Sequence, residues 1–188
     1  MKIIGVSGSI VGSKTRTAMD YTMKTIEEKH PDIEVNLIDL AECDIQFSDG
    51  RNYTEYEGDT MHVTQTIMEA DAIILGTPIF QASIPGTLKN IFDLLPINAF
   101  RDKVVGMIVT AGTPKHFLIA ENQLKPILAY MKAQIVPTYV FIEEMDFHRK
   151  EITNDDVLFR IDRLIEDTVM LTETYNKIRE EKEAEYDF

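Results

Sequence analysis

The chain has 188 residues, 44% of them hydrophobic, which favours one compact domain with its own core. Nineteen Lys and Arg against 32 Asp and Glu give a net charge of −13, which disfavours nucleic acid or an anionic membrane surface as a partner. The single cysteine, Cys43, excludes an internal disulfide and a multi-thiolate metal site. We expect a cytoplasmic protein, because no apolar run reaches the roughly 18 residues of a membrane span and the chain opens on a strand rather than a signal segment.

Five apolar runs predict strands, at residues 3–6, 35–38, 71–76, 104–109 and 135–142. Helical patterns follow them, at residues 18–26, about 60–69, 88–95, 117–131 and 158–169. The polar stretch 44–59 has no periodicity and is predicted to be a long surface loop, and the charged tail 179–187 to fray from the last helix. Strands alternating with helices indicate an α/β fold whose parallel sheet is covered on both faces. In such a sheet, ligands bind beyond the carboxyl ends of the strands, so three loops become candidates.

The first loop, residues 8–17, reads GSIVGSKTRT. Its hydroxyl residues and two cations lie directly before a helix whose first N–H groups have no partner within the helix. Backbone amides, the helix dipole and hydroxyl groups bind phosphate at such a position, and the Arg16 guanidinium can bind two oxygens. The loop therefore predicts a phosphate site, the alternative being a Ser/Thr-rich capping loop without a ligand.

Three known types of site match this loop incompletely. A P-loop requires glycine where Ser13 stands, since Gly12 falls one place early. The dinucleotide fingerprint G-x-G-x-x-G is absent, and a phospho-receiver domain needs acidic residues where the chain has Ser7-Gly8-Ser9. These residues weaken all three alternatives without identifying the ligand.

The second loop, residues 76–90, follows the third predicted strand. Two prolines, at positions 78 and 85, hold it extended. Ile79 and Phe80, if exposed at the end of the strand, form an apolar wall for a flat ring; the alternative is that Phe80 packs in the core.

The third loop, residues 110–114, reads TAGTP. Its glycine, Gly112, permits the backbone to approach a ligand edge closely. By itself, this loop is an ordinary turn.

Together the loops resemble the NAD(P)H-dependent FMN reductase family. The residues that carry this resemblance are Gly8-Ser9, Ser13-x-Thr15-Arg16, Thr77-Pro78-Ile79-Phe80, Pro85-Gly86-x-Leu88-Lys89 and Thr110-x-Gly112-Thr113. A further set is similar to the FMN reductases that supply reduced flavin to alkanesulfonate monooxygenases, namely His116-Phe117-Leu118, Leu124-Lys125-Pro126-Ile127-Leu128 and Lys132-Ala133-Gln134. The similarity covers about residues 1–142.

The resemblance implies a flavodoxin-like fold, with a three-layer, doubly wound, five-stranded parallel sheet of order 2-1-3-4-5. One FMN-binding domain would span residues 1–188 with a C-terminal helical extension. The residues implied to bind the FMN phosphate are Ser9, Ser13, Thr15, Arg16 and Thr17. Pro78, Ile79 and Phe80 would flank the flavin ring, and Thr110, Gly112 and Thr113 would line its far edge. NADPH or NADH would stack over the flavin, in a homodimer or homotetramer with the site near a subunit interface.

Two positions depart from the family pattern. Phe80 stands where relatives often carry Tyr, which removes a hydroxyl group from the site. Asn122 stands where the sulfonate-linked reductases carry an aromatic residue in a π-bulge. Independently of the resemblance, Pro126 cannot donate to the carbonyl of Asn122, so the helix is predicted to kink or bulge there.

The resulting hypothesis is an FMN-dependent NAD(P)H oxidoreductase. Its reduced flavin would serve a flavin-dependent monooxygenase, or reduce quinone, azo or nitro acceptors. Hydride transfer depends on stacking and alignment, so no catalytic residue is assigned; His116 is the nearest candidate, and no metal site is expected. A flavodoxin-type electron carrier and a P-loop-like nucleotide kinase are the alternatives.

Overall fold

The computed structural model describes residues 1–186, in which strands and helices alternate. The strands of the main sheet are β1 (Lys2–Ser7), β2 (Glu34–Asp39), β3 (Ala72–Pro78), β4 (Val104–Ala111), β5 (Gln134–Ile135) and β6 (Val140–Glu143). The α-helices are α1 (Lys14–Lys29), α2 (Gly58–Glu69), α3 (Gly86–Leu94), α4 (Lys125–Tyr130) and α5 (Asp155–Tyr186). A π-helix, Ala120–Leu124, leads into α4, and a short hairpin, β7 (Phe147–His148) and β8 (Glu151–Ile152), precedes α5.

The sheet has the order β2-β1-β3-β4-β5, and every neighbouring pair is parallel. β6 pairs with β4 on the same side as β5. This confirms the predicted flavodoxin-like order. Pro78 of β3 lies opposite Thr110 of β4, so the two strands end side by side and bring the second and third loops together.

Two hydrophobic clusters cover the two faces of the sheet. One cluster contains buried residues of α2, α3 and α4, and the other contains buried residues of α1 and α5. β3 and β4 are buried along their whole length, which explains their nearly continuous apolar sequence. The three layers that the sequence predicts are therefore present.

The predicted fifth strand, residues 135–142, is divided in two. β5 ends at Ile135 and β6 begins at Val140, with Pro137 between them. Proline has no N–H to donate, so it interrupts a hydrogen-bonded ladder that an unbroken strand would require.

The prediction that residues 44–59 form a surface loop is wrong for Tyr56. This side chain is only 1% exposed, and its hydroxyl donates to Asp49 Oδ1 over 2.8 Å while it accepts from the Asp49 N–H over 3.1 Å. A 3-10 helix spans Tyr53–Glu55, and α2 begins two residues earlier than predicted, at Gly58. The segment is therefore attached to the core through the buried Tyr56, with Ile45 packed beside it and the Gln46 and Ser48 backbones bonded to Thr60 and Asn90.

The last helix is longer than the sequence suggests. The tail 179–187 is predicted to fray, whereas α5 continues to Tyr186; Asp187, which the prediction included, lies outside the described residues. None of the helices within residues 1–186 combines the length and the apolar character that crossing a bilayer requires.

Candidate functional site

A cleft of about 440 Å³ opens at the carboxyl ends of the central strands, within the size range of small-molecule sites. All three predicted loops contribute to it. Its lining residues are Val11, Gly12, Ser13, Lys14, Thr15, Pro78, Ile79, Phe80, Thr110, Ala111, Gly112 and Glu144. Seven of the eleven predicted site residues are in this set, and the other four are Ser9, Arg16, Thr17 and Thr113.

The first loop presents an uncapped helix end to the cleft. α1 begins at Lys14, and the preceding Ser13 makes no side-chain capping bond to any described residue. Gly12 has a φ of +81°, a left-handed conformation that residues with a Cβ rarely adopt, and open space surrounds its Cα hydrogen. The first N–H groups of a 16-residue helix are thus available for an anion.

Two hydroxyl residues of this loop bond within the protein. Ser9 Oγ donates to the Val11 carbonyl oxygen over 2.6 Å and so closes the loop on itself. Thr15 Oγ1 lies 2.7 Å from Thr110 Oγ1, and both residues are buried. This hydroxyl pair joins the first loop to the end of β4, so the two walls of the cleft are held together beneath the ligand space.

The Arg16 guanidinium bonds to carboxylates behind the cleft. Its Nε donates to Asp20 over 2.7 Å and its Nη1 donates to the buried Asp39 over 2.5 Å. The hydrogen bonds with Asp20 and then Asp39, opposed by desolvation, raise the pKa of Arg16 above its ordinary value. Within residues 1–186, Nη2 has no bonding partner, so the guanidinium anchors α1 to the end of β2 and retains one unused donor group.

Lys14 and Glu144 form an ion pair across the cleft. Lys14 Nζ donates to Glu144 Oε1 over 2.5 Å, and this contact lowers the pKa of the glutamate. The sequence predicts neither Lys14 nor Glu144 as a site residue. Lys14 could have been found, since it is a cation of the predicted phosphate loop, whereas Glu144 lies 130 positions away and carries no local signal.

The second loop supplies the apolar wall. Phe80 is 41% exposed and is therefore not a core residue, whereas Ile79, expected to be exposed, is only 8% exposed. The Ile79 N–H donates to the Thr110 carbonyl oxygen over 3.0 Å, which extends the pairing of β3 with β4 past Pro78. Backbone pairing thus holds Ile79 inward and leaves Phe80 as the exposed ring.

The third loop turns away after Gly112. Thr113 Oγ1 accepts from the Lys115 N–H over 3.4 Å and caps the 3-10 helix Pro114–His116, so this side chain faces that helix rather than the cleft. His116 Nδ1 is buried and makes no hydrogen bond to the described residues. Within residues 1–186, no three His, Cys, Asp or Glu side chains lie close enough together to hold a metal ion.

The predicted distortion before Pro126 is confirmed as a π-helix. The Lys125 N–H donates to the Ala120 carbonyl oxygen, five residues back, in place of the usual four. Asn122, singled out by the resemblance, lies within this π-helix and is exposed.

Comparisons with known proteins agree with this geometry. The model of the NADPH-dependent FMN reductase family matches residues 1–147. The chain is 38% identical over 165 residues to an NAD(P)H-dependent FAD/FMN reductase of Geobacillus thermodenitrificans, covering 87% of this chain and 89% of that protein. It is 28% identical over 161 residues to the NADH-dependent FMN reductase SfnF of Pseudomonas fluorescens, covering 86% of each.

A solved structure of an FMN oxidoreductase is also similar to this chain. The NADH:FMN oxidoreductase EMOB in its apo form superposes with a TM-score of 0.75 at 25% identity, covering 88% of this chain and 86% of that one. Membership of this family, rather than the fold, which a flavodoxin shares, distinguishes the chain from a simple electron carrier and from a P-loop kinase. The chain belongs to the NADPH-dependent FMN reductase family and is an NAD(P)H-dependent oxidoreductase that uses FMN.

Proposed function

We propose that the protein reduces FMN in the cleft described above and that the reduced flavin serves a flavin-dependent monooxygenase or a quinone, azo or nitro acceptor. The observation that carries this proposal is the pairing, in one cleft, of an uncapped helix end with an exposed aromatic wall. A flavin mononucleotide has matching parts, a charged phosphate and a flat ring.

The first loop fits the phosphate. Ser13, Lys14 and Thr15 line the cleft, and the N–H groups at the start of α1 have no partner within the helix. We include the remaining predicted residues of this loop, Ser9, Arg16 and Thr17, in the proposed phosphate site, Arg16 through its unused Nη2 group. Because the whole chain carries a charge of −13, this local concentration of donors is what makes the loop attractive to an anion.

The second and third loops fit the ring. Phe80 offers its exposed face, and Pro78 and Ile79 form the wall beside it. Thr110 and Gly112 line the cleft opposite, and we include the neighbouring Thr113 in this edge only through its backbone, since its side chain caps the helix Pro114–His116. Gly112 leaves room for a ring edge, because a Cβ at this position would meet only the flexible Glu144 side chain, at 3.8 Å.

When bound, FMN supplies the redox chemistry by accepting a hydride from NAD(P)H. The protein's own residues bind FMN and orient its ring. The proposal assigns no acid or base, and it gives the phosphate loop and the Phe80 wall the task of fixing the ring against the reductant.

Exposed apolar side chains around the cleft support a homo-oligomer. Ile10 and Val11 of the first loop and Phe117 and Leu118 after the third are each about half exposed or more. We propose that the chain forms a homodimer or homotetramer in which such side chains are covered, and that it acts in the cytoplasm, where reduced nicotinamide is supplied. Sedimentation equilibrium tests the assembly, and a monomer at all concentrations would contradict it.

One titration series tests the activity. The purified protein is titrated with FMN while flavin fluorescence is followed, and NADPH or NADH oxidation is then measured with excess free FMN, with a quinone and with an azo dye. Saturable FMN binding with turnover supports the proposal. Faster turnover with free FMN than with the dye favours delivery to a monooxygenase, and the reverse favours direct acceptor reduction. Absence of both binding and turnover would refute the proposal.

A further inference from the structure

The exposed wall of the cleft ends in a tight turn of unusual composition. Phe80 and Ser83 exchange two backbone hydrogen bonds, of 2.9 and 3.0 Å, around Gln81 and Ala82. Both central residues have positive φ, +51° and +57°. A two-residue turn of this shape normally carries Asn-Gly, because a Cβ disfavours the left-handed conformation. Gln-Ala therefore does not favour this turn by itself.

A side chain from another part of the chain holds this turn. Gln123 Nε2 donates to the Ala82 carbonyl oxygen over 2.9 Å, and Gln123 Oε1 accepts from Ser83 Oγ over 2.5 Å. One amide group thus bonds both a central residue of the turn and the residue that closes it. These two contacts, which span 40 and 41 positions of sequence, compensate for a locally unfavourable turn.

The π-helix places Gln123 where it can make these bonds. Within Ala120–Leu124 the exposed Asn122 precedes the half-buried Gln123, and Leu124 is fully buried in the core. The backbone distortion and the side-chain clamp therefore occur at the same residue. Single π-turns inside helices often mark functional sites.

We propose that Gln123 is a positioning residue for the flavin-facing wall: it holds the turn Phe80–Ser83 in its left-handed form and so fixes Phe80 at the cleft. The proposal rests on the placement of the flavin ring against Phe80 given above. Gln123 itself does not line the cleft, so it acts through the turn and not on the flavin.

The first test needs no cofactor. In the apo protein, Gln123→Ala should speed amide exchange of Phe80 and Ser83 about tenfold, since two hydrogen bonds of modest net strength are lost, and should leave exchange in β4 unchanged. Gln65→Ala, the same substitution at an exposed position of α2, is the matched control and should change neither. Unchanged exchange of the turn in a folded Gln123→Ala variant would overturn the proposal.

The second test is a rescue. Fluorescence titration should show FMN bound about fivefold more weakly by Gln123→Ala, the loss expected for one such hydrogen bond. Replacing Gln81 by Asn and Ala82 by Gly supplies a turn that forms unaided, so Gln123→Ala should cost less than twofold in that background. An equal loss in both backgrounds would overturn the positioning role.

The outcomes separate the two proposals. If the wild-type protein binds no FMN, the proposed function fails, while the exchange measurement still decides whether Gln123 holds the turn. If the wild type binds FMN and Gln123→Ala binds it equally well, the positioning role alone fails.

Discussion

The two ends of the cleft are built differently. At the end proposed to hold the flavin ring, backbone pairing sets the wall: Ile79 bonds to Thr110, and Gln123 bonds the turn beyond it. At the end proposed to hold the phosphate, the cationic side chains already bond protein partners, as Lys14 does with Glu144 and Arg16 with Asp39.

The two ends therefore differ in how much they must rearrange when a ligand binds. A wall held by its backbone needs no rearrangement to receive a ring. Cations held in ion pairs must exchange or share partners to receive a phosphate, so part of the binding free energy at that end is offset by the contacts that are lost. We therefore expect substitution of Lys14 to change ligand affinity more than protein stability, whereas loss of Arg16 also leaves the buried Asp39 without its cation and lowers stability.

The largest effect is expected for Lys14→Ala. This variant should bind FMN about tenfold or more weakly, because a hydrogen bond from a charged donor contributes about 1.5–3 kcal/mol. Riboflavin lacks the phosphate and should bind both proteins equally, and Lys24→Ala, which removes an exposed lysine paired with Glu28, is the control. Fluorescence titration measures both ligands, and an equal loss of riboflavin binding would contradict this division of roles.

Arg16→Ala tests the same division between the two cations. We expect it to weaken FMN binding less than Lys14→Ala does, because Asp20 and Asp39 hold two of its donor groups away from the cleft. A larger loss for Arg16→Ala would mean that the guanidinium leaves Asp39 for the phosphate, which is the role that the sequence alone predicts.

A moderate effect on stability is expected at the hydroxyl pair Thr15–Thr110, which joins the two ends of the cleft. Thr15→Val leaves the buried Thr110 hydroxyl without its partner and should lower the free energy of unfolding by about 1–2 kcal/mol. The double variant Thr15→Val/Thr110→Val removes both hydroxyls and should lose less than the sum of the two single variants. Urea unfolding measures all three proteins, and strictly additive losses would contradict a direct hydroxyl pair.

The smallest effect is expected for Glu144→Gln, which frees Lys14 from its ion pair. FMN should bind about two- to threefold more tightly, since exposed ion pairs are weak. Lys14 lowers the pKa of Glu144, so the carboxylate stays charged, and the gain should be constant from about pH 8 to pH 7, above the pKa of about 6 at which a phosphate monoester changes charge. A gain that disappears within this range would contradict the assigned ion pair.

The sequence predicts the features that depend on local pattern. The continuous apolar runs of β3 and β4 identify strands buried on both faces, and Pro126 identifies the site of the π-helix. The three loops of the cleft follow from the alternation of strands and helices, because parallel strands end at one edge of the sheet.

The remaining features depend on contacts between distant residues. Arg16 meets Asp39 across 23 positions, and Gln123 meets Ser83 across 40. No local pattern shows which carboxylate or hydroxyl a long side chain will bond, so the sequence identifies the loops but not the partners within them. Tyr56 is a similar case, because its ring packs into the hydrophobic cluster that contains residues of α2 and α3, outside the polar segment that carries it.

The π-helix also limits how the chain length can vary here. The π-turn from Ala120 to Lys125 holds one residue more than an α-helical turn, so loss of one residue there would restore a regular α-helix and leave the buried Leu128 facing the core. The loss would fall among the residues that place Gln123 beside the turn Phe80–Ser83, so its hydrogen bond to Ala82 would be lost. We expect a shorter version of this segment to carry glycine at 81–82, so that deletions in one helix are linked to the residues that the opposite loop can carry.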